Sequence, residues 1–192
     1  MHDIDKGTLR RRQVAARAAM PDSIRNESSR LIRDHVLEMP QVTSAGTIAA
    51  YYSVGTEPDT RGLVYALWKR GTYVLLPVLL PDYDLDWASY EGPDSLAAGP
   101  HGLLQPTEAP RGVSAVTSAD LVIVPALAVD HDGRRLGRGG GSYDRALARV
   151  GPAVPTVALI YDDELLDEVP AGRLDQRVRM AARPRQGIIR LR

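Results

Sequence analysis

The chain has 192 residues, enough to bury a full core in one domain spanning 1–192. Its 24 basic and 24 acidic side chains cancel, so no overall field marks a nucleic-acid or membrane partner. It contains no cysteine, which excludes disulfides, thiol catalysis and cysteine-ligated zinc, and no run approaches the roughly 18 apolar residues of a membrane helix.

The stretch "MHDIDKGTLRRR" carries acids and no apolar segment, unlike a secretory signal, and a cytoplasmic enzyme is expected. Residues 5 to 38 read as a pair of helices broken at "MPDS". Leu9, Val14, Ala15 and Ala18 form the expected apolar face of the first, with Lys6, Arg10 and Arg17 facing elsewhere. Ile24, Leu31, Ile32, His35 and Val36 form that of the second. "GTIAAYY" (46–52) reads as a strand covered on both faces. A helix follows over 57–71, with Pro58 in its first turn and Gly71 past its end. "TYVLLPVLL" (72–80) predicts a strand whose regular pairing stops at Pro77, and "LDWASY" (85–90) an edge strand. A glycine- and proline-rich connection leads to the strongest strand, "DLVIVPALAVD" (120–130). Then come a helix from "YDRALARV", a strand "TVALIY", a short helix "DDELLDEV" and a last strand "GIIRL". This alternation predicts an α/β three-layer sandwich: a largely parallel central sheet flanked by helices, with the N-terminal helical pair.

Between the strand at 120–130 and the next helix lies "GRRLGRGGGSYDR" (133–145). In open α/β sheets, ligands bind beyond the carboxyl ends of strands, where loops enter helix N-termini. Glycines let backbone N–H groups approach a phosphate closely, and Arg134, Arg135 and Arg138 supply planar charged donors. Asp144, in the first helical turn, suits a Mg²⁺ that accompanies phosphates. The glycine spacing fits neither GxGxxG nor GxxxxGK[ST], so a mobile turn or an RGG-like RNA contact stays open on composition alone.

The segment "VIVPALAVDHDGRRLGRGGGSYDRAL" resembles the signature of the 5-formyltetrahydrofolate cyclo-ligase (5,10-methenyltetrahydrofolate synthetase) family. "KGTLR" (6–10), "YYSVGTEPDT" (51–60) and "GLLQP" (102–106) are similar to further family patches in the same order. The resemblance implies ATP- and Mg²⁺-dependent cyclisation of 5-formyltetrahydrofolate to 5,10-methenyltetrahydrofolate, releasing ADP and phosphate. It also implies a three-layer α/β fold and a small-molecule substrate, possibly polyglutamylated, handled by a monomer without nucleic acid or membrane.

Carried over residue by residue, the resemblance assigns ATP phosphates to Lys6 and Arg10, one helical turn apart. Arg135, Leu136, Gly137, Arg138, Gly139, Gly140, Gly141, Ser142 and Tyr143 would wrap the nucleotide. Tyr52 and Glu57 would bind folate, joined by Arg138 through Ser142, with Glu57 and Arg138 as the catalytic pair. Asp144 and Asp175 would hold Mg²⁺, while Trp87 and His101 fall where the family places pocket side chains. The chain departs from the pattern at Ser142, where relatives usually carry tyrosine. It departs again at Val129, in place of phenylalanine, and in "GRLDQRVRMAA", which keeps only Asp175 of an acidic motif. A diverged paralogue that binds folate, or another N-acyl substrate, with weak or no cyclo-ligase activity is the alternative.

Overall fold

A computed structural model describes residues 5–192; the first four residues of the acid-bearing start lie outside the described residues. Two helices open the chain, α1 (Lys6–Ala19) and α2 (Asp22–Leu37). Asp5 caps α1, its carboxylate accepting from the N–H groups of Gly7 (2.8 Å) and Thr8 (3.1 Å). A short helix, α3 (Pro40–Ser44), follows the expected pair. The remaining helices are α4 (Arg61–Lys69) and α5 (Ser142–Arg149).

The central sheet has seven strands. In chain order they are β1 (Thr47–Ala49), β2 (Tyr73–Leu79), β3 (Leu85–Ser89), β6 (Leu121–Pro125), β9 (Thr156–Leu159), β11 (Met180–Arg183) and β12 (Gly187–Arg190). Four short strands, β4 (Leu96–Ala98), β5 (Leu104–Pro106), β7 (Ala128–Asp130) and β8 (Arg135–Leu136), together with β10 (Leu165–Leu166), form two small accessory sheets. The spatial order of the large sheet is β12-β11-β9-β6-β1-β2-β3. Its inner five strands run parallel, and both edges are antiparallel. Continuous burial of β6 and β9 follows from their two covered faces. One apolar cluster packs α2 and α4 on one face through Ile32, Val36, Leu63 and Leu67. The other packs α5 and the 113–118 turn on the opposite face through Ala146, Leu147 and Val116. The three layers expected from the alternation are present.

Several local expectations are corrected. Of the expected apolar stripe of α1 only Leu9 is buried; Gln13 and Arg17 complete the inward face, and Val14, Ala15 and Ala18 are exposed. Ile24 on α2 is likewise exposed. Pro77 does not stop pairing: it stands opposite Trp87, and the ladder runs on to Leu79↔Leu85. The expected helix at 57–71 begins only at Arg61, so Glu57 lies in the preceding turn. The strand at 120–130 breaks after Pro125, and its second half pairs with β8 and β10 in another sheet. "DDELLDEV" is a single 3-10 turn and a two-residue strand.

Candidate active site

Strand order reverses between β1 and β6, which are neighbours in the sheet although far apart in sequence. A crevice opens beyond the carboxyl ends of parallel strands at such a point. Here it is a cavity of about 540 Å³. Tyr51 and Tyr52 enter it after β1, Pro125 to Leu127 after β6, and the loop 137–141 ahead of α5.

The helix α1 runs along one side. Lys6 and Arg10, separated by one turn, both reach the cavity. The Arg10 Nε donates to the Gly137 carbonyl at 2.8 Å. Lys6 pairs with Asp175 from the far end of the chain, and that carboxylate also accepts from the Gly172 N–H. Burial opposes ionisation of Asp175, but these bonds and the nearby Arg135 outweigh it and hold its pKa below the usual carboxylate value. Below them, the buried Arg17 spans Glu164 with bonds of 2.6 and 2.8 Å and donates to the Ala126 carbonyl at 2.5 Å.

The loop adopts the conformation its glycines permit. Gly139 has φ +108° and Gly141 φ +70°, the latter serving as N-cap of α5. Arg135 is not a free donor. Its side chain is buried, donates to Asp144 at 3.0 Å and to the Pro125 carbonyl at 3.2 Å, and lies 5.9 Å from the Tyr143 ring centroid. Arg134 turns to Asp130 and Asp132. Arg138 stays half exposed and reaches Glu57 at 3.2 Å.

Glu57 is held from below as well, its other oxygen accepting from the Val54 N–H at 2.9 Å. The turn that carries it is tied by reciprocal bonds between Ser53 and Thr60. Each side-chain oxygen accepts the other residue's N–H, at 3.0 and 2.9 Å, and the Thr60 hydroxyl donates to the Tyr51 carbonyl at 2.7 Å. Burial, with Glu57 nearby, pushes the phenols of Tyr51 and Tyr143 well above their ordinary value, so both stay neutral hydrogen-bonding groups.

Of the residues singled out from the sequence, Lys6, Arg10, Tyr52, Glu57, His101, Asp175 and all of 135–144 line this one cavity. Trp87 does not: it is fully buried in the core behind the sheet, opposite Pro77. Arg17, Tyr51 and Tyr83 line the cavity and went unmarked in the sequence. A signal existed for Arg17, which continues the face of Lys6 and Arg10 along α1. Among the described residues no group of three or more histidine or acidic side chains gathers for a metal. Asp144 and Asp175 nonetheless each accept through one carboxylate oxygen, leaving Asp144 Oδ2 and Asp175 Oδ1 without a hydrogen-bond donor among the described residues. Two carboxylates with free oxygens suit Mg²⁺, which takes one or two such ligands and completes its shell with water and phosphate.

A parallel α/β sheet with a basic, glycine-walled cavity at its switch point defines a small-molecule-binding α/β protein. The sequence matches the 5-formyltetrahydrofolate cyclo-ligase family over residues 3–184, and the chain belongs to that family of enzymes. It is 36% identical over 192 residues to the 5-formyltetrahydrofolate cyclo-ligase of Mycolicibacterium smegmatis, covering 97% of each chain. It is 30% identical to that of Escherichia coli, covering 83% of this chain and 89% of the relative. The NMR structure of Aquifex aeolicus 5,10-methenyltetrahydrofolate synthetase shares the fold with a TM-score of 0.84 at 24% identity, covering 97% of this chain and 93% of that one.

Proposed function

We propose that the chain cyclises 5-formyltetrahydrofolate to 5,10-methenyltetrahydrofolate at the expense of ATP, in the cytoplasm and as one domain. The observation that carries this reading is the mixed lining of a single cavity. Lys6, Arg10, Arg138 and the glycine loop line it together with aromatic and aliphatic side chains. A reaction joining a polyphosphate to a flat heterocycle needs both.

An N-formyl oxygen is a poor leaving group. It first takes the γ-phosphoryl group of ATP, and ADP is released. N10 then attacks the activated carbon and loses its proton, and the carbon–oxygen bond breaks to free phosphate. Such transfers ask the protein for positioning and charge neutralisation rather than a nucleophile. Lys6 and Arg10 bind phosphate oxygens as charged donors, and the backbone N–H groups of Gly139 to Ser142 close the cradle, aided by the start of α5. Arg135 orients Asp144 rather than touching the nucleotide. Glu57 binds pterin N–H groups beside the reacting atoms, and Arg138 bridges it to the phosphate end. Tyr52 lines the folate end. Asp144 and Asp175 hold Mg²⁺, which when bound would neutralise phosphate charge.

The test is absorbance of the methenyl product from purified protein, 5-formyltetrahydrofolate and Mg-ATP. Product formation that needs all three supports the reading. Folded protein that binds folate yet yields none at high enzyme concentration is a non-catalytic paralogue.

A further inference from the structure

Tyr83 and His101 are the two non-glycine residues with positive φ among those described, at +65° and +55°. They lie in different turns, Tyr83 between β2 and β3 and His101 between β4 and β5. Their rings nonetheless stack, with centroids 6.2 Å apart and planes 19° from parallel. Left-handed backbone is strained for a bulky side chain and persists where the surroundings demand it. A glycine would serve Tyr83's turn, in which its N–H donates to Leu80 O at 3.0 Å. Nor does the core demand the ring, since Tyr83 is 49% exposed. What the conformation does achieve is to bring an aromatic ring into the cavity lining.

The location narrows its partner. Pro77, Leu79 and Leu85, on the hairpin whose turn carries Tyr83, and Leu103, two residues past His101, also line the cavity, whereas Lys6 and Arg10 reach it from α1. The Tyr83 ring also closes on the glycine loop: a Cβ built on Gly140 would lie 3.5 Å from its Cδ1 and 3.4 Å from the Ser142 hydroxyl. Ser142 and Tyr83 therefore border one space. A large side chain at 142 would reach the volume the Tyr83 ring now fills.

We propose that Tyr83, backed by His101, is a specificity-determining residue that holds the flat aromatic portion of the folate by stacking. This rests on the reading that folate lies against the apolar side chains of the cavity. Stacked or tilted aromatic pairs gain energy beyond the area they bury, and a ring fixed in advance loses little freedom on binding.

The experiment uses the full chain with Tyr83→Gly, Tyr83→Phe and Tyr83→Gly/Ser142→Tyr. Calorimetry reads Kd for 5-formyltetrahydrofolate and, separately, for a non-hydrolysable ATP analogue; turnover gives both KM values. In Tyr83→Gly, folate binding is expected to weaken about tenfold while nucleotide binding holds and the melting temperature stays level or rises, because strain is relieved. Phenylalanine should retain wild-type binding, and the double variant should recover most of the loss. Unchanged folate Kd in a folded Tyr83→Gly protein overturns the proposal, as does weakening confined to the nucleotide, which would seat adenine there. Wild-type protein that binds folate without turnover sinks the cyclo-ligase reading alone, since the Kd comparison still decides the role of Tyr83. Wild-type protein that binds no folate overturns both.

Discussion

Replacing Arg17 by methionine tests whether α1 is held by its buried ion pair. Arg17 is 2% exposed and Glu164 4%. Without the guanidinium, Glu164 keeps only the Tyr161 N–H, at 2.8 Å, and the Ala126 carbonyl loses its donor. Removing one partner of a buried pair costs about 3–5 kcal/mol, because the other charge stays desolvated. In a domain of this size each kcal/mol shifts the melting temperature by about 2–4 °C, so a fall of roughly 6–20 °C is expected. The loss should depend on pH. Burial pushes the Glu164 carboxyl above its ordinary pKa even with Arg17 present, and without Arg17 it rises further. The folded variant then takes up a proton that the unfolded chain, with an ordinary carboxyl, does not. Its deficit relative to wild type should therefore shrink between about pH 8 and about pH 5. Thermal unfolding followed by circular dichroism at both pH values measures this. Arg17→Met/Glu164→Leu should recover most of the stability, since an apolar pair can replace a buried ionic one. A fall below about 2 °C, or a deficit indifferent to pH, would refute the argument and leave the pair at break-even.

Three further outcomes follow from the same geometry. Lys6→Ala and Arg10→Ala should each raise KM for ATP about ten- to a hundredfold; unchanged KM in both folded variants would confine these side chains to their bonds with Asp175 and Gly137. Gly139→Val should remove affinity for a non-hydrolysable ATP analogue in a folded protein, because φ is +108°, which a β-branched residue scarcely adopts, so the loop must change course; normal calorimetric affinity would reduce the loop to a flexible turn. Gly133→Ala should lower the urea midpoint by the equivalent of at least about 2 kcal/mol. Its φ is +80° and a Cβ there would meet the Val178 carbonyl oxygen at 2.2 Å, so an unchanged midpoint would contradict the packing described.

The local pattern was enough for α2 and α5, from helical spacing, and for the cores of β2, β6 and β9, from continuous apolar runs that both faces bury. The glycine loop and the one-turn spacing of Lys6 and Arg10 were equally local, and both arrive at the cavity. Only the tertiary structure decided the rest. Periodicity assumes that the inward face is apolar, and α1 turns Gln13 and Arg17 inward instead. That choice depends on Glu164, 147 residues away, just as the setting of Lys6 depends on Asp175, 169 residues away. The strands β7, β8 and β10 are two or three residues long, too short for any period to show. Glu57 resembled the first residue of a helix, yet it sits in a turn fixed by Ser53 and Thr60. Tyr83 carried no sequence signal, and its stacking on His101 was illegible, since it arises from two strained turns that meet only in the folded chain. Charges and rings drawn from distant parts of a chain cost entropy to assemble, and only the packed core that surrounds them supplies the compensation.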